Sequence, residues 1–164
     1  MTKLNIQAWI PKKIVSGGQT GADRAALDWA LRHNIAHGGW CPKGRLASDG
    51  PLDLVYQLQE TESAGYRQRT KLNVAGSDAT LIFNIGAIDG GTLATVRFAE
   101  SFKKPHLVIQ LDIASTEEAS FQINTWLIHG NFATLNIAGP REEKCPGIYS
   151  KVMDALEFCI AASN

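Results

Sequence analysis

The sequence predicts an α/β fold: a three-layer, doubly wound domain built on a mostly parallel sheet. Three observations lead there. From residue 14 onward, short β-rich runs alternate with longer stretches of helical periodicity. Two of those runs end in glycine-rich turns that open helices. The unusual polar residues gather after strands rather than before them, at the edge where open α/β sheets bind ligands.

Lys13-Ile14-Val15-Ser16 reads as a short buried strand, ended by Gly17-Gly18. Segment 22–33 then places Ala26, Leu27, Ala30 and Leu31 on one helix face. Segment 36–40 is a weaker strand interrupted by Gly38-Gly39, and 56–61 alternates apolar and polar residues as a third. Segment 66–75 is helical, with Ser63 as a candidate cap and Gly76 as a stop. The continuous apolar run 79–83 suits the centre of a parallel sheet. A helix over 92–102 and a strand over 106–110 follow. Ser115-Thr116-Glu117-Glu118 fits a capping box, because Ser at the cap and Glu three residues on exchange bonds with orphan amides. That helix reaches residue 128; a strand over 133–137 and a helix over 146–162 complete the chain. The expected organisation is an arm, 1–13, and one domain, 14–164.

Composition narrows the function. Lys and Arg total 16, as do Asp and Glu, so the formal charge is zero and a nucleic-acid-binding surface excess is not expected. No apolar stretch approaches the roughly 20 residues of a membrane-spanning helix, and residues 1–13 lack a signal-peptide core. The expected location is the cytoplasm. Cys41, Cys145 and Cys159 are odd in number and widely spaced, which gives neither a disulfide framework nor a metal pair. His33, His37, His106 and His129 show no ligand spacing, so no metal site is assigned.

The strongest motif is Gly17-Gly18-Gln19-Thr20-Gly21-Ala22-Asp23, after the first strand. Glycines allow positive φ and close backbone approach, and the helix opening there offers unpaired amides and a partial positive charge. The loop is neither a Walker loop nor a Gly-x-Gly-x-x-Gly fingerprint. A tight turn with Thr20 and Asp23 as a capping box is the structural alternative. Asp23 would repel a phosphate, which leaves three roles open: helix cap, acceptor for a ligand hydroxyl, or cation holder. Gly90-Gly91-Thr92 repeats the device after the fourth strand, and the two loops are expected to flank the reversal point of a standard doubly wound order. Lys43, Arg45 and Arg69, with the neighbouring Thr70, bring cations and a hydroxyl to the same edge. Arg69→Ala is expected to weaken anion binding while leaving the fold intact. Cys41 is read as a structural thiol. No catalytic residue is assigned. Trp9 and the apolar residues of the last two helices point to an oligomer contact.

These residues together resemble the family named putative molybdenum carriers. The resemblance rests on the Gly-Gly-Gln-Thr-Gly-Ala-Asp loop, Trp40-Cys41-Pro42-Lys43-Gly44-Arg45, Asp49-Gly50-Pro51, Arg69-Thr70, Ser77-Asp78-Ala79 and Gly90-Gly91-Thr92. It implies a Rossmann-like fold of the SLOG superfamily, which also holds the lonely-guy phosphoribohydrolases, often labelled lysine decarboxylases. It further implies a small anionic ligand, either molybdenum cofactor (a pterin bearing a phosphate) or a nucleotide-like relative, and assembly into dimers or tetramers. The phosphoribohydrolases carry an arginine eight residues before a Ser-Asp-Ala start, and Arg69 keeps that spacing to Ser77. Their catalytic glutamate falls at Thr95, which cannot act as a carboxylate. Glu100 lies five residues, about one and a half helical turns, beyond. The expected function is therefore a binder or carrier without its own chemistry. The alternatives are a nucleotide-processing hydrolase using Asp23 or Asp89, and a nucleotide sensor.

Overall fold

The computed structural model of the chain describes residues 9–161. The first eight residues of the expected arm, and the last position of the expected final helix, lie outside that range. Five parallel strands form the sheet: β1 (Lys13–Val15), β2 (Ala36–Gly38), β7 (Ala79–Asn84), β8 (His106–Gln110) and β9 (Thr134–Ala138). Their order is β2-β1-β9-β7-β8. Two small two-stranded pairs lie outside it: β3 (Trp40–Cys41) with β6 (Gln59–Glu60), and β4 (Leu46–Ala47) with β5 (Gly50–Pro51). The helices are α1 (Ala22–Arg32), α2 (Tyr66–Ala75), α3 (Gly90–Ser101), α4 (Thr116–Gly130) and α5 (Ile148–Ala161).

The period-2 alternation of the strands sorts their side chains into two unlike faces. Ile14, Leu81, Phe83, Ile109, Leu135 and Ile137 join the buried faces of α1, α4 and α5 in one large apolar core. The intervening residues Thr80, Ile82, Asn84 and Asn136 are also buried but largely polar, and they belong to neither apolar cluster. Asn136 donates through Nδ2 to Thr80 Oγ1 at 3.3 Å. On that second face α2 packs against α3, and α3 against β7.

Four expectations need correction. The second predicted strand is cut at Gly39 (φ 126°), where a Cβ would lie 2.4 Å from the Ser16 carbonyl oxygen. Beyond it the chain leaves the sheet, and the Asn73 side chain takes over the pairing. Its Oδ1 accepts from Trp40 N at 2.7 Å and its Nδ2 donates to Trp40 O at 3.0 Å. The third predicted strand shrinks to Gln59–Glu60 and pairs with Trp40–Cys41, outside the main sheet. Most consequentially, β9 inserts between β1 and β7, so the two glycine openings do not flank a standard reversal point. The capping box is present: Ser115 Oγ accepts from Glu118 N at 3.2 Å, and Glu118 Oε2 from Ser115 N at 2.8 Å. Ser63 does not cap α2; Gly65 does, and Ser63 Oγ accepts from its amide. Among the described residues, no helix is long and apolar enough to cross a membrane.

Asp28 fastens the segment that follows β3 to the main body. Its two carboxylate oxygens accept from Tyr56 OH at 2.5 Å and Tyr149 OH at 2.7 Å. Burial, reinforced by the bond to the Asp28 carboxylate, pushes both phenols upward, Tyr149 to about 12. A raised phenol contributes stability that is complete below its unfolded value, about 10, and is lost as pH rises through the folded one. Asp28→Asn is therefore expected to cost about 2 kcal/mol at neutral pH. The gap to wild type should narrow between about pH 10 and about pH 12. Chemical denaturation across that window checks it; a constant gap would dissociate the phenols from the effect.

Candidate functional site

A cavity of about 260 Å³ opens at the carboxyl edge of the sheet, bounded by the starts of α2 and α3 and the loop that follows β9. Gln19 and Asp23 reach it from the first glycine loop, and Tyr66, Arg69 and Thr70 from α2. Gly90, Gly91, Thr92 and Thr95 reach it from α3.

The two glycine openings, alike in sequence, differ in how far their amides are engaged: three in the first have partners, while those of Gly18, Gly21 and Asp23 have none among the described residues. In the first, Thr20 N donates to its neighbour's side chain, Gln19 Oε1, at 2.9 Å. Ala22 N donates to the Pro140 carbonyl at 3.1 Å, and Gln19 N to Asp23 Oδ2 at 3.4 Å. Its glycines serve packing instead. A Cβ on Gly17 would lie 1.6 Å from Arg69 Nη1, and one on Gly18 2.7 Å from Leu52 Cδ1. Gly17, Gly18, Thr20, Gly21 and Ala22 do not line the cavity. The capping box offered as the structural alternative is also absent: Gly21 caps α1 with no side-chain bond, and Thr20 Oγ1 donates to Glu143 Oε2 at 2.8 Å.

The second opening is free. The amides of Gly90, Gly91 and Thr92 have no acceptor among the described residues, and the first bond of the helix is Leu93 N to Asp89 O at 3.0 Å. Thr92 is only 5% exposed, yet its hydroxyl has no hydrogen bond either. A Cβ on Gly91 would meet nothing within 4 Å. Three orphan amides, an unbonded hydroxyl and the positive end of a 12-residue helix thus converge on one cavity.

Arg69 Nη1 donates to Asp23 Oδ2 at 2.7 Å, with side-chain exposures of 12% and 3%. Burial pushes the Asp23 carboxyl above its ordinary range, while Arg69 opposes that rise. Arg69 Nε is buried without an acceptor, and the guanidinium lies 5.7 Å from the Tyr66 ring centroid. Thr70 Oγ1 and Thr95 Oγ1 donate to the carbonyls of Tyr66 and Gly91, each at 2.9 Å.

Two of the expected cations are elsewhere. Arg45 donates to the carbonyls of Asp53 at 2.8 Å, Tyr56 at 2.7 Å and Leu58 at 3.3 Å, so its guanidinium staples segment 52–58. Lys43 is exposed and outside the cavity. In their place the loop after β9 supplies Arg141 and Lys144. Lys144 Nζ pairs with Asp89 Oδ1, and the Arg141 guanidinium has no hydrogen bond or ion pair among the described residues. Sequence reasoning missed both. The signal was there in Gly139-Pro140-Arg141, a glycine and a cation just past the last strand. Burial pushes the Cys41 thiol up, as expected of a structural cysteine. Among the described residues, no three His, Cys, Asp or Glu side chains group as a metal site.

The model of the circularly permutated YpsA SLOG family matches residues 14–160. The chain is similar to a solved structure from Syntrophus aciditrophicus SB, described as a putative molybdenum carrier protein. Identity is 52%, the TM-score 0.89, and the match covers 92% of this chain and 95% of that one. No curated protein matches. The parallel sheet with helices on both faces is the Rossmann-like arrangement the sequence predicted.

Proposed function

This chain belongs to the circularly permutated YpsA SLOG family, and from that premise we propose that it binds and carries a phosphate-bearing small molecule. The ligand's phosphate would sit against the Gly90, Gly91 and Thr92 amides, the Thr92 hydroxyl and the Arg69 guanidinium. Arg141 and Lys144 lie at the mouth and Tyr66 offers a ring to a planar group. The observation that carries the reading is the set of three unpaired amides at the start of α3, facing a cavity that also holds Arg69. Helix N-termini of this kind are ready anion sites.

Molybdenum cofactor fits the description, as a planar pterin joined to a phosphate, and the similar structure's description as a molybdenum carrier favours it among such ligands. Carriage rather than hydrolysis is supported by the carboxylates nearby. Asp23 is tied to Arg69 and Asp89 to Lys144, and Thr95 gives its proton to Gly91. The same reading includes a homo-oligomer, to which the exposed Phe121, Ile128 and Phe158 of α4 and α5 offer apolar surface.

Calorimetric titration with inorganic phosphate and a nucleoside monophosphate tests the site. Thr92→Val, which removes a hydroxyl at constant size, is expected to weaken both about tenfold. Native mass spectrometry of the purified protein should reveal a copurifying phosphate-bearing mass. If neither probe binds, the site is elsewhere; if free base accumulates from the nucleotide, the hydrolase alternative replaces the carrier.

A further inference from the structure

Asp23 is an odd residue to find in an anion pocket. It is 2% exposed, lines the cavity and uses only one carboxylate oxygen within the protein. Oδ2 takes Arg69 Nη1 and, at 3.4 Å, Gln19 N. Oδ1 accepts no hydrogen bond among the described residues. The charges around it are Arg69 from α2, Arg24 from its own helix, and Arg141 and Lys144 across the cavity. Arg24 is already committed to Asp49, at 2.9 and 3.0 Å, and to the Gly18 carbonyl. Arg69 is thus the cation that an incoming oxyanion and Asp23 must share. Two anions on one guanidinium repel unless a proton lies between them.

We infer that Asp23 makes this cavity selective for oxyanions that carry a proton, namely hydrogen phosphate and phosphate esters, and rejects fully ionised sulfate and molybdate. The inference rests on the phosphate-site reading above and adds to it the discriminating atom and the anion class. A phosphate ester, whose second pKa is about 6, brings or recruits a proton near neutrality at small cost. Its P–O–H then donates to Asp23 Oδ1 while its other oxygens take the α3 amides and Arg69. Sulfate and molybdate are dianions with no such proton, so they would leave Oδ1 unmatched and facing a like charge. A site built around a hydrogen bond rejects the analogue that cannot make it far more strongly than a merely shaped one does. A molybdenum-bearing cargo would accordingly be gripped by its organic phosphate and not as the bare oxyanion.

The test is calorimetric titration of the full chain with a phosphate monoester (methyl phosphate), sulfate and molybdate at about pH 6.5 and about pH 8.5, because the monoester loses its last proton between them whereas inorganic phosphate would keep one. The monoester should bind at least about tenfold tighter than either rival at the lower pH, equivalent to about 1.4 kcal/mol. Its lead should shrink at the higher pH, where it loses its proton. In Asp23→Asn, whose amide can donate, sulfate should gain until it and the monoester differ by less than about threefold. Equal affinities in wild type, or a phosphate preference indifferent to pH, would overturn the inference while leaving the site standing. Failure of all three anions to bind would overturn the site itself. Should Asp23→Asn not fold, the wild-type pH comparison decides alone.

Discussion

Arg69→Ala is expected to abolish phosphate binding and also to destabilise the protein by about 3–5 kcal/mol. The first effect follows from its place beside the free amides of α3. The second contradicts the expectation, drawn from sequence, that the fold would survive untouched. Arg69 and Asp23 are a buried ion pair at 2.7 Å, and deleting the cation strands a carboxylate with almost no access to water. Asp23, already raised by burial, would rise further and take up a proton. A carboxyl with a raised folded pKa loses its stability contribution as pH climbs through that pKa, so the variant's deficit should grow from about pH 4 toward neutrality. Arg69→Ala combined with Asp23→Asn should recover most of the stability and none of the binding. Urea denaturation with parallel phosphate titration separates the two effects. A single variant as stable as wild type at neutral pH would mean that the ion pair contributes nothing.

The largest expected effect of adding a single methyl group is at Gly21. Gly21→Ala should cost about 4 kcal/mol and weaken phosphate binding, although Gly21 does not line the cavity. Its backbone sits at φ 82° and ψ −128°, a region that side chains rarely enter. The new Cβ would lie 2.5 Å from Pro140 O, 2.7 Å from Glu142 N and 2.9 Å from the Arg141 carbonyl carbon. All three are backbone atoms, with no rotamer to yield. The start of α1 and the loop after β9 are joined there, by Ala22 N to Pro140 O and by Glu142 N to Thr20 Oγ1 at 3.3 Å. Forcing them apart would carry Arg141 and Lys144 away from the cavity. Gly86→Ala is the control: its φ is 73°, but a Cβ meets nothing within 4 Å, so only the backbone strain of about 1 kcal/mol should remain. Equal midpoints for the two variants in thermal melts would dismiss the clash.

What the sequence made legible was local. The run 79–83 announces a buried strand, Ser115 with Glu118 announces a cap, and Gly90-Gly91-Thr92 announces a helix opening after a strand. Each depends on residues a few positions apart. The misreadings are long-range. In the Gly17–Asp23 loop the partner of the Ala22 amide is Pro140, more than a hundred residues on, which no local pattern reveals. Arg45 looks like a phosphate ligand because its charge is visible and the carbonyls that capture it are not. Arg141 goes unassigned from sequence because a standard doubly wound order does not put the last strand beside the first. Asp23 is visibly awkward for an anion site from sequence alone; its partner, Arg69, comes only from the fold.

The position of β9 bears on how the protein is made. It pairs with β1 on one side and β7 on the other, though it is the last of the five described sheet strands to leave the ribosome. Until Thr134 onward emerges, the nascent chain can form β1 with β2 and β7 with β8, but nothing bridges the two ribbons. The apolar strand Ala79–Asn84 must wait with one edge unpaired, a state open to wrong partners. Closure then comes late and all at once. The stretch that closes the sheet also delivers Arg141 and Lys144, so synthesis completes the scaffold and the mouth of the cavity in the same step.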